Sequence, residues 1–181
     1  METAKFTSEM VEMIKGVIGD DFCDYECGCV TLDETYGNLR MNFGKSSLEF
    51  FNVVSEFPFY DSTEEISCFT CERRPCSSQF KPYCDEPSER YPINETVRAI
   101  SIVEDEIFVN DGEYQIAFDM AVIIETDEHR YIFSRGWFFA ETIRISVDRE
   151  FDEIYPVERV VEDWSDEGEN KVSVCRSVRK L

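Results

Sequence analysis

Four cysteines in a proline-rich stretch, Cys68-x2-Cys71-x4-Cys76-x7-Cys84, come closest to a chemical site by type and spacing. Tetrahedral zinc takes four soft ligands, and a Cys-x2-Cys knuckle offers two of them from one turn. Such an ion would be structural, adding folding energy to a stretch poor in aliphatic residues. Only the first half of the spacing fits, because the second pair is Cys-x7-Cys. Free cytosolic thiols or disulfides are the competing reading. Cys23, Cys27 and Cys29 make a second group able to lend a ligand. Cys175, alternating with Val174, reads as a core residue.

Little points to catalysis. His129 is the only histidine and sits in Thr126-Asp127-Glu128-His129, a hairpin tip with no triad or metal partner at a recognisable spacing. The glycines fall in no phosphate-binding order. Acid pairs such as Asp20-Asp21 or Asp152-Glu153 are expected by chance among 39 carboxylates. The chain therefore reads as non-enzymatic.

Charge is the stronger signal. The 181 residues carry 39 Asp and Glu against 18 Lys and Arg, a net charge of −21. Nucleic acid and anionic membranes repel such a surface, since their binders neutralise phosphates with Lys and Arg. The fitting partner is a basic protein, such as one that itself binds nucleic acid. Plain solubility also gives an acidic chain, but about 2–8 charges suffice for a small domain. Glu104-Asp105-Glu106, Asp111, Glu113, Asp127, Glu128, Asp152, Glu153, Glu162, Asp163, Asp166 and Glu167 fall on expected turns, helix faces and strand ends. Carboxylates held rigidly there can imitate the phosphate row of DNA, with fast, salt-sensitive association. Each of them alone is more simply a solvated surface group.

The elements that would hold these groups divide the chain in three. In residues 1–57, Phe6, Met10, Met13, Ile14 and Val17 predict a helix capped by Thr7 or Ser8 and stopped at Gly19. Val30 and Leu32, then Leu39, Met41 and Phe43, predict a hairpin around Tyr36-Gly37-Asn38. Ser46-x-x-Glu49 before Leu48, Phe50, Phe51, Val53, Val54 and Phe57 predicts a helix, with a buried strand the near alternative. Residues 58–96, with five prolines and four cysteines, read as a loop-rich insert.

Residues 97–181 are the best patterned. Val97–Val103, Glu106–Val109, Glu113–Phe118, Met120–Glu125, Arg130–Ser134 and Thr142–Val147 read as strands, with Asn110-Asp111-Gly112 as a hairpin turn. Pro156 opens a helix whose face is Val157, Val160, Val161 and Trp164, and Gly168 ends it. Val172, Val174 and Val178 make a last strand. The expected fold is α+β: an antiparallel meander with a packed C-terminal helix, an N-terminal helix and hairpin, and a Cys/Pro-rich insert. Trp137-Phe138-Phe139 is core or a partner anchor. No stretch approaches the ~20 apolar residues of a membrane span, and no basic region precedes an apolar one as in a secretory signal. The expected location is the cytoplasm.

The runs Phe133-Ser134-Arg135-Gly136-Trp137-Phe138-Phe139, Asp152-Glu153-Ile154-Tyr155-Pro156-Val157 and Val161-Glu162-Asp163-Trp164-Ser165-Asp166-Glu167-Gly168 resemble small acidic mobile-element proteins of gut Firmicutes. With the length and acidity, the likeness is to a type II-A anti-CRISPR, an inhibitor of Cas9. It spans roughly residues 97–181 and leaves the cysteine-rich stretch unmatched. The resemblance implies a bacterial host cell and a stoichiometric complex with Cas9–guide RNA, in which acidic groups cover the nuclease's DNA-handling surface. Two other readings stand beside it: an immunity protein that neutralises a basic nuclease toxin, and a small zinc-stabilised interaction adaptor. The free state would be a monomer or a small homo-oligomer.

Overall fold

The computed structural model describes residues 1–28, 30–31, 33–83, 87–165 and 169–181. Cys29, Leu32, Cys84, Asp166, Glu167 and Gly168, each used in the reading above, lie outside them. In chain order the elements are β1 Glu2–Ala4, α1 Ser8–Lys15, β2 Asp21–Cys27, β3 Glu34–Tyr36, β4 Asn38–Phe43, β5 Ser47–Phe59, β6 Ser62–Arg74 and β7 Glu89–Val109. They continue with β8 Tyr114–Thr126, β9 Arg130–Trp137, β10 Ala140–Val147, α2 Phe151–Ile154, α3 Val157–Trp164 and β11 Val172–Lys180. The fold is an α+β mixture dominated by antiparallel sheet.

The pairings return to their starting point. β2 lies between β7 and β4, β7 pairs β8, β8 pairs β9, β9 pairs β10, and β10 pairs β3. β3 and β4 are separated only by Gly37, whose φ of 78° bends one run of chain from β10 towards β5. The Gly37 N–H donates to the Glu141 carbonyl at 2.6 Å, sealing this corner. Asn52, fully buried on β5, donates from Nδ2 to the carbonyls of Ala140 and Thr142 at 3.0 and 2.9 Å. A side-chain amide thus satisfies β10 carbonyls where β5 diverges from it. The expected hairpin at Tyr36-Gly37-Asn38 is instead this bend, because the residues on either side pair with different strands.

Inside the ring, alternate residues of each strand form one core: Phe22, Leu39, Met41, Val122, Phe133 and Ile143 among them, with Ile14 and Val17 from the α1 region. The opposite faces of β8 and β9 make a second core with Phe118, Ile123, Ile132 and Phe138, covered by Phe151, Ile154, Val160 and Trp164 from α2 and α3. Period-two alternation on a strand buried on both faces explains why β8 reads as an almost continuous apolar run.

Several expectations change. The segment around Leu48–Phe57 is the 13-residue strand β5. Its β-branched and aromatic residues favour extended chain, and Glu49 caps no helix. Glu49 instead accepts from Arg40, Arg74 and Asn38 on neighbouring strands and nearby chain. Residues 58–96 are not loop throughout, since β6 pairs with β5 from Ser47↔Arg74 to Phe59↔Ser62 and β7 begins at Glu89. The separate runs on either side of residues 104 and 119 are single strands. A bulge between Val103 and Glu104, opposite the step from Ala121 to Asp119, shifts the pattern by one residue and mimics a break. Thr7 caps α1, its Oγ1 accepting from the Met10 N–H at 3.2 Å, as the spacing predicts.

Candidate functional site

Cys68 and Cys71, the expected knuckle pair, do not converge on one point. Cys68 and Cys71 lie on β6, three residues apart in extended chain, so their side chains take opposite faces. Cys68 belongs to the core beneath the C-terminal helices and Cys71 to the core inside the ring. A knuckle needs a turn where the structure has a strand. Burial pushes the Cys71 thiol up to about 12 and also raises that of Cys68. Cys76 is exposed, and Cys175 is exposed on the outward side of β11, correcting its assignment to the core.

The acidic residues divide into those that hold the fold and those that face solvent. Asp105 is fully buried and accepts two hydrogen bonds from Arg176, both 2.7 Å. It therefore presents no charge to a partner, correcting its place among the surface carboxylates. Asp163 accepts from the Tyr155 hydroxyl at 2.5 Å and from Arg159 at 3.1 Å, and its side chain is 5% exposed. Glu104 pairs with Lys5 and Arg179, Asp111 with Lys171, Asp127 with Arg98, Asp152 with Arg176, and Glu153 with Arg149. Glu153 also closes a capping box with Glu150 at the start of α2.

Glu106, Glu113, Glu128 and Glu162 make no ion pair with a described cation, and the last three are exposed. Most of the chain's Lys and Arg are spent on internal pairs, so the surplus of 21 negative charges is left on the surface. That asymmetry, more than any single carboxylate, is what the surface offers.

The aromatic run at the β9–β10 turn also splits. Phe138 is buried, whereas Trp137 and Phe139 are 41% and 39% exposed and meet edge to face at 5.2 Å. Arg135, next to them in sequence, is fully buried between the Phe118 and Phe138 rings, 4.6 and 4.8 Å from their centres. It donates to the Ser67 carbonyl, and burial lowers its guanidinium to about 10.

A fourth cluster was invisible in the sequence. His129, on the β8–β9 turn, places Nδ1 2.7 Å from Asp148 and Nε2 3.9 Å from Glu95. Glu95 also accepts from Thr126 at 2.5 Å and Tyr131 at 3.0 Å. The Asp148 hydrogen bond raises the imidazole above its ordinary value, with desolvation opposing it. Glu95, Glu128 and His129 bring ligand atoms within 4.8 Å of one another, an exposed group with no ion to define it. Only the β7–β8 pairing brings Glu95 here, and no local spacing signals that.

No family model matches the chain, and no curated protein or solved structure does either.

Proposed function

We propose that this chain is a non-enzymatic inhibitor of a basic nucleic-acid-handling protein, and specifically an anti-CRISPR that binds Cas9–guide RNA and blocks DNA binding or cleavage. The observation that carries the reading is the division of charge: the cations are consumed in pairs such as Arg176–Asp105 and Arg179–Glu104, while carboxylates such as Glu113, Glu128 and Glu162 remain unpaired at the surface. A rigid sheet bearing unpaired carboxylates supports competition with phosphates for Arg and Lys clusters. The exposed Trp137 and Phe139 add apolar anchors of the type that dominate interface energetics. The choice of Cas9 rests on the resemblance of residues 97–181.

The test is retention of purified Cas9–guide complex on the immobilised protein at low and high salt, paired with a target-DNA cleavage assay. Salt-sensitive retention with stoichiometric loss of cleavage supports the reading. Absence of retention at low salt overturns the Cas9 assignment, and inhibition of a basic nuclease toxin instead would make it an immunity protein.

A further inference from the structure

A cleft of about 260 Å³ opens between the end of α3, the tip of the β5–β6 hairpin and the β9–β10 turn. Phe59, Ile66, Phe139 and Trp164 form its apolar walls, with Glu64, Asp163 and Asn170 contributing the polar groups. The ring centres of Phe59 and Phe139 lie 6.3 and 6.4 Å from that of Trp164. Tyr114 stacks behind on Trp164 at 6.2 Å and meets Phe59 edge to face at 4.7 Å. These four rings come from four separate parts of the fold, so the cleft is built by tertiary packing.

Its chemistry selects a cation. Aromatic faces are negative, and a cation within about 6 Å of a ring centre is attracted, more so when desolvated. Glu64 has no cationic partner among the described residues, and no Lys or Arg lines the walls. Asp163 is oriented by Tyr155 and Arg159. An anion would meet both carboxylates, and a neutral apolar ligand would cover Glu64 unpaired, at a desolvation cost. The ligand that fits the site thus carries a flat cation.

We infer that this cleft is the socket for one arginine residue of the basic partner, an inference that rests on the proposed function. The guanidinium lies against the rings and donates towards Glu64 and Asp163. Arginine fits better than lysine because its planar, weakly hydrated fork both stacks and donates in two directions. The charge of the whole molecule favours such a partner.

The experiment titrates the Trp137→Phe variant, in which Trp164 is the sole tryptophan, with N-acetyl-arginine amide, N-acetyl-lysine amide and N-acetyl-alanine amide. The readouts are tryptophan fluorescence and the indole N–H resonance. Arginine amide is expected to shift the Trp164 signals saturably at about 10 mM or below, lysine amide more weakly, and alanine amide not at all. Glu64→Gln and Phe139→Ala should each weaken the arginine response by about tenfold with an unchanged melting temperature, and should weaken Cas9–guide retention similarly. Equal responses to all three amides, or none to arginine amide, overturn the socket. If Cas9–guide is still held by Glu64→Gln at full strength, the inference fails while the proposed function stands. An arginine response without Cas9 retention leaves the socket intact and removes the Cas9 reading.

Discussion

Arg176 and Asp105 face each other directly across the β11–β7 ladder and share two parallel hydrogen bonds, both 2.7 Å. Arg176 also donates to Asp152 and to the Tyr155 carbonyl, each at 2.6 Å, and its guanidinium lies 4.7 Å from the centre of the Phe151 ring. One side chain thereby ties the last strand to β7 and to the α2 region. Arg176→Met should cost about 3–5 kcal/mol, because it strands a fully buried carboxylate. Adding Asp105→Leu should recover much of the loss. Urea unfolding of the single and double variants measures this, and a double variant no better than Arg176→Met would contradict it.

Asp119 makes stability depend on pH in the acid range. Its Oδ2 accepts from the Phe6 N–H at 2.6 Å, but burial dominates and raises the carboxyl from 3.8 to about 6. The folded state then holds the proton more tightly than the unfolded state, so stability falls as pH rises from about 3.8 through about 6. The shift corresponds to a cost on the order of 3 kcal/mol at pH 7. Asp119→Asn keeps an acceptor for Phe6 and removes the charge. It should stabilise the protein at pH 7 and change little near pH 3.5. An equal effect at both pH values would refute the assignment.

The His129–Asp148 pair instead stabilises, and only while both groups are charged. The hydrogen bond raises the imidazole above 6.5, so its contribution is complete below 6.5 and lost as pH rises through the folded value. Asp148 is lowered from 3.8, first by the Arg130 N–H and then by His129, so its contribution disappears on acidification below that range. The pair therefore acts most strongly between about pH 4 and 6.5. Proton NMR of the His129 ring should show a midpoint above 6.5 that moves back towards 6.5 in Asp148→Asn. A midpoint unmoved by that substitution would exclude the pair as its cause.

Gly37→Ala tests the bend between β3 and β4. The glycine has a φ of 78°, and a Cβ there would collide with the Tyr83 side chain. Both the backbone conformation and the contact oppose a side chain, so a loss of at least about 1 kcal/mol is expected. A thermal melt unchanged from the parent would show that this corner tolerates rearrangement.

Local patterns were legible where neighbours in sequence decide the outcome. Thr7 before Met10, Met13 and Ile14 announces α1, and Pro156 before Val160 and Trp164 announces α3. Asn110-Asp111-Gly112, all three with positive φ, marks the β7–β8 turn. What failed were features set by distant pairing. Phe50, Phe51 and Val53 suit a helix face as well as a strand, and only the β4 and β6 ladders choose between them. Cys68 and Cys71 carry a zinc spacing that means a knuckle only in a turn. Asp105 looks like any other surface acid until Arg176, 71 residues away, meets it. The cleft likewise draws on Phe59, Phe139 and Trp164, whose separation along the chain hides their proximity.

The ring of strands also sets an order of assembly. Glu34–Tyr36 finds its partner strand in Thr142–Arg144, and Ser101–Val109 completes its second edge with Val172–Lys180. A nascent chain therefore leaves those edges unpaired until its distal third has emerged. Such remote pairings favour slow folding and expose sticky edges meanwhile. A heavily anionic exterior keeps those transient forms apart from one another.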